Sequence, residues 1–546
     1  MSHPNVSTAL ARVLVDQLAA EGVRFVVVCP GSRSGALAIA ASEHPEIETR
    51  VVIDERSAAF HALGAARACG RPTAVLSTSG TAAANFFPAV VEADLSCVPL
   101  IAISADRPAE LQGVGANQTV DQIALYGTKV RNFTGIEAPN GSIDRNVEWR
   151  GAAARLVAAA IGNPPGPVHL NVRFREPTVP VSDDGRTSES EYPFETPRIG
   201  EVAIAAHREQ ETELPRLPGE RGLVVAGDGD YDRAAVRELA RSLGWPVLAT
   251  ALSGMRDDDT VTTYHHLLAG PIVEELRPRT VVAVGSIGPS ARLETLVGSA
   301  ENRVRVDRWG RVIDPERNAT HRLEADVVDV LSLVESAAAP AWSAAWREAE
   351  ARRRERNDEI VAGSDAMTGA AVARALDRIE WNALVVASSL PIREVDAHLR
   401  RPGDVFANRG ASGIDGFVST ALGVASVEPG TLALAGDLSL LHDSNGFLHD
   451  GEIDLTMVFI DNGGGGLFDS LPQASHAPDY ERLFVTDPHR SYPALAEFHG
   501  LGYHEAADRD SLIELGGASL RRRGVDLIRV GVSRDKDLEM RSQLDE

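Results

Sequence analysis

An aspartate and an asparagine in the C-terminal part of the chain each directly follow an apolar run. Asp437 comes after LALAG, and Asn462 comes after MVFID, 25 positions later, with Gly463–Gly466 next. This spacing leaves room for one crossover helix between parallel strands, whose carboxyl ends are where open α/β sheets bind ligands. Carboxylate and amide oxygens suit Mg²⁺ holding a diphosphate, and glycines let backbone approach phosphates closely. The pattern therefore predicts a metal–diphosphate site, with a helix cap and a plain loop as the structural alternative.

A second candidate acid lies in the N-terminal part of the chain. The run TRVVI ends in Asp54 and Glu55, and the next helix is predicted to begin at Arg56. A carboxylate at a helix N-terminus often has no role beyond its favourable interaction with the helix dipole. The presence of Asp437 and Asn462 in a separate α/β region of the same chain favours a functional role for Glu55.

Short β-branched runs alternate with alanine-rich stretches, and this alternation indicates the fold. In the first 180 residues, RFVVVCPG, TRVVIDE, TAVLSTSG and PLIAISAD are predicted strands, and 56–70 and 80–94 are predicted helices. The alternation continues through a helix at 233–243 and resumes from Thr368. The predicted fold class is α/β, with three successive doubly wound parallel-sheet domains.

Two compositional breaks divide the predicted domains. A polar, proline-rich linker begins at Glu176, and a second linker beginning at Ser336 leads into a charged helix predicted to be exposed. We therefore predict domains at 1–180, 198–345 and 362–546.

Composition limits the partners of the protein. The 546 residues include 54 Lys and Arg against 78 Asp and Glu, a net charge of −24. Such a chain repels phosphate backbones and anionic lipids, so we expect neither nucleic-acid binding nor membrane insertion. The three cysteines have no paired spacing, and the N-terminus lacks the pattern of a secretory signal. These features predict a cytoplasmic protein.

Four motifs carry a resemblance to a known family. They are CPGSRSGALA at 29–38, SADRPAELQGVGANQTVDQ at 104–122, SSLPIR at 388–393 and NRGASGIDG at 408–416. Together they closely resemble the menaquinone-pathway synthases of the thiamine-diphosphate-dependent superfamily. In that superfamily Glu55 matches the activating glutamate, and Asp437 with Asn462 matches the metal–diphosphate motif. The resemblance implies PYR (pyrimidine-binding), middle and PP (diphosphate-binding) domains in that order.

The resemblance also implies an activity. The family uses thiamine diphosphate with Mg²⁺ or Mn²⁺ to decarboxylate 2-oxoglutarate. It then adds the succinyl-semialdehyde carbanion to isochorismate in a Stetter-like conjugate addition. The products are 2-succinyl-5-enolpyruvyl-6-hydroxy-3-cyclohexene-1-carboxylate (SEPHCHC) and CO₂, in menaquinone biosynthesis. The implied protein is a transferase, a homodimer or homotetramer with active sites at the dimer interface.

Specific residues receive roles by family position. Glu55 is the implied catalytic acid, and Ile414 is the apolar prop beneath the bent cofactor. Other implied cofactor-binding residues are Gly436, Leu438, Ser439, Gly464, Leu467 and Phe468, of which Leu467 and Phe468 have a core role as their alternative. The implied metal ligands are Asp437, Asn462 and Gly464. The implied substrate-binding residues are Ser32, Arg33, Arg107, Asn117, Gln118, Arg292, Ser389, Arg393, Arg409 and Leu471. Arginine suits this role because its fork binds carboxylates in a bidentate manner.

The sequence departs from the family pattern at two places. Position 461 is an aspartate, which adds negative charge beside the metal and is expected to alter its affinity. Ala291 stands where relatives have a lysine, leaving Arg292 alone of a substrate-contacting pair.

Two alternative functions remain open from the sequence. Another thiamine-diphosphate enzyme, such as an acetohydroxyacid synthase or a 2-oxoacid decarboxylase, would share Glu55, Asp437 and Asn462. A non-catalytic nucleotide- or diphosphate-binding regulatory protein on the same fold would have no need of Glu55.

Overall fold

The computed structural model describes residues 5–139, 146–179, 216–476 and 478–546, and it contains three parallel β-sheets. The first sheet comprises β1 Phe25–Val28, β2 Glu48–Val51, β3 Thr73–Ser77, β4 Leu100–Asp106, β5 Phe133–Glu137 and β6 Val168–Arg173. The second comprises β7 Gly222–Ala226, β8 Val247–Ala249, β9 Thr280–Val284, β10 Asn302–Val306 and β11 His321–Leu323. The third comprises β12 Ala383–Val386, β13 Asp404–Phe406, β14 Thr431–Gly436, β15 Leu455–Asp461, β16 Gly502–Ala506 and β17 Val525–Gly531.

The strand order of each sheet is doubly wound. The first sheet runs β2-β1-β3-β4-β6-β5, and the third runs β13-β12-β14-β15-β17-β16, which is the same order. The second runs β11-β10-β9-β7-β8. The order reverses between β1 and β3, between β7 and β9, and between β12 and β14. At such reversals the loops after the strands diverge and leave a crevice for ligands.

Helices connect the strands and cover both faces of the sheets. In the first part of the chain they are α1 Val6–Ala20, α2 Gly35–Glu43, α3 Glu55–Cys69, α4 Thr81–Ala84, α5 Phe87–Ser96 and α6 Asn146–Ala160. The middle part has α7 Arg233–Leu243, α8 Tyr264–Leu267, α9 Ile272–Glu275, α10 Ala291–Ser299 and α11 Pro340–Ala362. The last part has α12 Gly369–Leu376, α13 Leu390–His398, α14 Phe417–Ala425, α15 Asp437–His442, α16 Gln473–His476, α17 Tyr492–His499, α18 Arg509–Ser519 and α19 Arg534–Asp545.

Alternate residues of each strand enter different cores. In β1, Val26 and Val28 pack with α1, α2 and α6, whereas Phe25 and Val27 pack with α3 and α5. The second sheet is covered in the same way on its two faces. Central strands such as β1, β3, β7 and β9 are therefore buried along their whole length, which is why they read as largely apolar runs in the sequence.

The structure confirms the predicted fold class and corrects two helices. The predicted helix at 80–94 is wrong as one element, because α4 ends at Ala84 and α5 begins at Phe87, with Pro88 in its first turn, where proline is tolerated. Nor is α11 simply exposed, since Trp346 and Glu350 on it are buried. The polar linker predicted from Glu176 lies almost wholly outside the described residues, as does the predicted boundary at 198.

The described residues form two compact units, and glycines bring two helices of the first unit together. This unit combines the residues before 180 with 408–429 and 441–453, so it contains both α3 and α14. A Cβ on Gly64 of α3 would lie 2.2 Å from the backbone oxygen of Thr420, and one on Gly423 of α14 would lie 2.0 Å from that of His61. Only glycine permits this approach, so α3 and α14 are held backbone against backbone.

Searching the described helices for a membrane span finds none with sufficient length and apolar character.

The α3–α14 contact predicts opposite outcomes for two glycine substitutions. Gly64→Ala forces a methyl group into the Thr420 backbone, so we expect a loss of roughly 1–3 kcal/mol of stability and a lower melting temperature. Gly517→Ala, in α18, meets nothing closer than the Arg521 side chain at 3.7 Å. It should leave the melting temperature unchanged or raise it, because alanine is the better helix former. Equal melting temperatures for the two variants would contradict the proposed packing.

Candidate active site

Asp54 and Glu55, at the start of α3, have different environments. Asp54 is the N-cap: its Oδ1 accepts from the backbone N–H groups of Arg56 and Ser57, and its Oδ2 accepts from Asn445 Nδ2 at 3.0 Å. The carboxylate of Glu55 is half-buried, and no hydrogen bond to it is found within the described ranges. Asp54 therefore caps α3, and Glu55 lies in its first turn, where the interaction with the helix dipole remains.

Buried carboxyl and thiol groups surround the start of α3. Asp443 is fully buried and accepts from Ser57 Oγ at 3.3 Å and from the backbone N–H of Ser419 at 2.8 Å. Burial raises the pKa of Asp443. Burial also raises the pKa of the Cys29 thiol, helped by the charges of Glu55 and Asp54. The surroundings of Glu55 are thus fixed by packing and polar contacts.

Two predicted substrate arginines lie near each other at the carboxyl ends of β1 and β4. Arg33 donates to the backbone oxygen of Phe174 at 3.1 Å and pairs with Glu176 at 2.9 Å. Arg107 follows β4 directly and is half-buried. Burial, and next the positive charge of Arg33, lower the pKa of Arg107. Two guanidinium groups that lie near each other form a suitable site for an anion.

Ser79 joins two of the predicted substrate residues, although the sequence analysis did not select it. Its hydroxyl accepts from Arg107 Nη1 at 2.8 Å and donates to the backbone oxygen of Gln118 at 2.9 Å. Gln118 Nε2 returns a bond to the backbone oxygen of Ser79 at 3.0 Å. Gln118 is held at φ +55°, a left-handed conformation that is uncommon for residues other than glycine. Asn117 and Ser32 are exposed in the same unit.

The segment 408–416, which carries Arg409 and Ile414, belongs to the first unit and runs into α14. Both side chains are half-buried. Ser412, between them, has φ +61°, again in the left-handed region. Local strain of this kind persists where surrounding contacts enforce it and is concentrated at functional sites.

Asp437 lies in the second unit at the end of β14 and is buried. Its Oδ1 accepts from the backbone N–H of Leu438 at 2.7 Å, and its Oδ2 accepts from that of Gly464 at 2.8 Å. Burial raises the pKa of Asp437 to about 6, and the carboxylates of Asp461 and Asp487 add to this shift. The second of these hydrogen bonds brings the end of β14 against the glycine run that follows β15.

Asn462 and the glycine run follow β15. A Cβ on Gly466 would lie 2.5 Å from Asn462 Nδ2, so the asparagine side chain folds back over the run. Gly464 has φ +117°, and a Cβ there would lie 2.0 Å from the backbone oxygen of Val485; one on Gly465 would meet that of Phe484 at 2.2 Å. These two glycines are therefore required by contact with the segment 484–485 of the protein itself.

Asp461, the departure from the family pattern, is paired. Both Nε and Nη2 of Arg529 on β17 lie 2.7 Å from its Oδ2. The added negative charge is thus partly balanced by an arginine on the neighbouring strand.

Ser389 and Arg393 lie between β12 and the first turns of α13. Ser389 has φ +75° and ψ −127°, a strained conformation for a residue with a side chain. Arg393 Nη1 donates to the backbone oxygen of Ser389 at 2.6 Å, and burial lowers the pKa of Arg393. The strained backbone of Ser389 and the half-buried guanidinium of Arg393 lie at the same end of the third sheet as Asp437.

The remaining predicted residues of the second unit have several environments. Arg292 forms a bidentate pair with Asp545 of α19, with Nη1 and Nη2 at 2.8 and 2.6 Å, and also donates to the backbone oxygen of His265. Ser439 is buried; Gly436, Leu438, Leu467 and Phe468 are half-buried, and Leu471 is 37% exposed. Phe468 packs its ring against Phe484.

The predicted site residues can be compared with possible metal clusters and with a cavity in the second sheet. Within the described part of the chain, no group of three or more His, Cys, Asp or Glu side chains is arranged to hold a metal ion. A cavity of about 240 Å³ lies at the carboxyl ends of β9 and β10, lined in part by Arg305 and Arg311, and none of the predicted site residues lines it. A metal ion at Asp437 would therefore also need amide oxygens, backbone oxygens and the diphosphate as ligands.

The family models and the relatives that match this chain agree with each other. Residues 8–125 match the N-terminal TPP binding domain of thiamine pyrophosphate enzymes, and residues 195–383 match the middle domain of thiamine pyrophosphate enzymes. The chain is 42% identical to the 2-succinyl-5-enolpyruvyl-6-hydroxy-3-cyclohexene-1-carboxylate synthase of Thermobifida fusca (strain YX), over 91% of this chain and 92% of that one. Identity to the enzymes of that name is 35% in Listeria innocua serovar 6a and 37% in Chloroflexus aurantiacus, in both cases over at least 95% of each chain.

The environments of Asp54 and Glu55 predict different effects on stability. Asp54→Ala removes the cap of α3 and should cost about 0.5–2 kcal/mol. Glu55→Gln removes no described hydrogen bond, so unfolding followed by circular dichroism should give nearly the wild-type midpoint. If Glu55→Gln were the more destabilising change, Glu55 would be a structural residue.

Proposed function

The chain belongs to the family of 2-succinyl-5-enolpyruvyl-6-hydroxy-3-cyclohexene-1-carboxylate synthases, which are thiamine-diphosphate enzymes. We propose that it acts on 2-oxoglutarate and isochorismate, with the residue roles set out below. When bound, thiamine diphosphate supplies the nucleophilic carbon and the electron sink for decarboxylation. The residues of the chain bind and orient the cofactor and the substrates, and they supply the acid. The observation that best supports these roles is the Glu55 carboxylate, which is half-buried and available while Asp54 carries the cap.

Glu55 is proposed as the acid that hydrogen-bonds the aminopyrimidine ring and favours its imino tautomer. Such a role needs a carboxyl group fixed in direction and not consumed by structural contacts. Asp54 caps α3 and leaves Glu55 at the first helical position. Glu55 therefore meets the second requirement, and the first turn of α3 fixes its backbone.

Asp437, Asn462 and Gly464 are proposed to hold a divalent cation and, through it, the diphosphate. The site fits such an ion, because burial disfavours the charged form of Asp437 and a cation would stabilise it. The donors are a carboxylate, an amide oxygen and a backbone carbonyl, which are hard ligands suited to Mg²⁺ or Mn²⁺. Gly436, Leu438, Ser439, Leu467 and Phe468 are proposed as the remaining lining on this side, with Ile414 as the cofactor prop.

The arginines and their neighbours are proposed to bind the substrates. Each substrate carries two carboxylates, and the proximity of Arg33 and Arg107 favours such a ligand. Arg393 and Arg409 would supply further cations, and the proposed polar and apolar partners are Ser32, Asn117, Gln118, Ser389 and Leu471. Arg292 also stays a proposed substrate residue, and this role requires it to leave its contacts with Asp545 and the His265 carbonyl.

The assembly is proposed to be a homodimer or a larger homo-oligomer, with Glu55 and Asp437 of one active centre coming from different chains. Ile53, directly before Asp54, is 64% exposed, and Ile123 and Val114 of the same unit are 54% and 68% exposed. A second chain that covered these side chains would remove exposed apolar surface from water. We also propose a cytoplasmic location, consistent with Cys29, Cys69 and Cys97 forming no disulfide.

The substrate proposal predicts which reaction the purified protein accelerates. CO₂ release should be fast with 2-oxoglutarate plus isochorismate and slow with pyruvate alone. Glu55→Gln should retain thiamine diphosphate but lose at least about 100-fold in turnover, as expected when an acid–base group is removed. Efficient turnover of pyruvate would instead favour the acetohydroxyacid-synthase alternative. Tight cofactor binding without CO₂ release in the wild type would favour the non-catalytic one.

The metal proposal predicts linked losses in one variant. Asp437→Ala should weaken Mg²⁺ and thiamine diphosphate together, because the ion connects the diphosphate to the protein. Calorimetric titration of each ligand in the presence of the other measures both affinities. Unchanged affinity for both would remove Asp437 from the metal site.

A further inference from the structure

Glu92 is a buried acid in α5 whose contacts reach the segment carrying Arg409 and Ile414. Its side chain is 2% exposed. Oε1 accepts from the backbone N–H of Gly410 at 2.8 Å, and Oε2 accepts from that of Ala411 at 2.6 Å. Ser96 Oγ donates to Oε1 at 2.7 Å. One carboxylate thus fixes two consecutive peptide groups more than 300 positions away in the chain.

The peptide groups of Gly410 and Ala411 lie where the backbone of segment 408–416 has little conformational freedom. Gly410 is next to Arg409, and a Cβ on Gly410 would lie 2.7 Å from Ser96 Oγ and 2.9 Å from the Glu92 backbone oxygen. Ser412, one residue beyond Ala411, is held at φ +61°. A strained loop keeps one conformation only when outside contacts enforce it, and Glu92 provides two charge-assisted contacts.

Burying this carboxylate requires compensation, and the structure supplies it. Arg67 of α3 lies 3.8 Å from Oε1, and its side chain is only 12% exposed. A buried carboxylate is tolerated when its oxygens are hydrogen-bonded and a cation is near. The same contact joins the segment to α3, the helix that begins with Glu55.

We propose that Glu92 is a positioning residue, which sets the direction of Arg409 and Ile414 by fixing the peptide groups of Gly410 and Ala411. The proposal rests on the proposed function, because it presumes that Arg409 contacts substrate and Ile414 contacts cofactor. It assigns Glu92 no contact with either ligand.

Glu92→Gln tests the proposal with almost no change in volume. The amide can accept through one atom only and presents N–H groups to the second backbone N–H. The segment should then lose its fixed direction, and kcat/KM should fall about 10–100-fold, as small misplacements of substrate-binding groups do. Glu92→Asp keeps the charge and should restore part of this loss.

A double-mutant cycle with Arg409→Ala distinguishes positioning from general stability. If Glu92 acts through the segment, Glu92→Gln should cost much less in the Arg409→Ala background than in the wild type. Fully additive effects would overturn the proposal.

Glu350 provides the matched control. It is also buried, accepts from the backbone N–H groups of Thr262 and Thr263, and has Arg354 at 2.8 Å. Glu350→Gln should lower the melting temperature to a similar extent but show no coupling to Arg409. Equal coupling for both variants would mean that the kinetic effect reflects only lost stability.

Amide hydrogen exchange separates this proposal from the proposed function. Glu92→Gln should speed exchange in the peptide covering 408–416, and Glu350→Gln should not. Unchanged exchange at 408–416 overturns the proposal even if the enzyme acts as proposed. Faster exchange with no wild-type turnover of 2-oxoglutarate and isochorismate would uphold the anchoring by Glu92 and reject the proposed function, and with it the roles of Arg409 and Ile414.

Discussion

The contact between α3 and α14 is the constraint on which the first unit depends. Gly64 and Gly423 allow each helix to approach the backbone of the other, and any side chain at these positions would collide with a carbonyl oxygen. The residue that opens α3 is Glu55, and the segment that leads into α14 carries Arg409 and Ile414. The helix pair therefore holds the backbone of the candidate acid near the segment with the candidate substrate and cofactor residues. Glu92 fixes that segment, and Asp443 joins the first turns of the two helices through Ser57 and Ser419.

Charge is arranged differently in the two units. In the first, burial and next the positive charge of Arg33 lower the pKa of Arg107, and two cations near each other suit an anion. In the second, buried Asp437 lies near two other carboxylates, which suits a cation. Arg529 partly balances this negative charge by pairing with Asp461. The opposite signs match what dicarboxylate substrates and a metal-bound diphosphate require.

Much of this was predictable because strand ends and their loops are local in sequence. The alternation of apolar runs indicated three doubly wound sheets, and the rule that ligands bind beyond strand ends selected Glu55, Asp437 and Asn462. The same rule would have found Ser79, which follows β3. Other features depend on contacts between distant residues and had no local signal. Asp545 occupies Arg292 from 253 positions away, the segment 484–485 requires Gly464 and Gly465, and Glu92 looks like an ordinary helical acid.

The central claim is that Glu55 and Asp437 serve one cofactor across two chains, and subunit mixing tests it most directly. Glu55→Gln and Asp437→Ala chains, each inactive alone, are dissociated together, reassociated in equal amounts and assayed. A mixed dimer then has one centre with both changes and one with neither, so random pairing should restore about a quarter of wild-type turnover. Failure to regain activity, with mixed dimers verified by mass spectrometry, would contradict the claim.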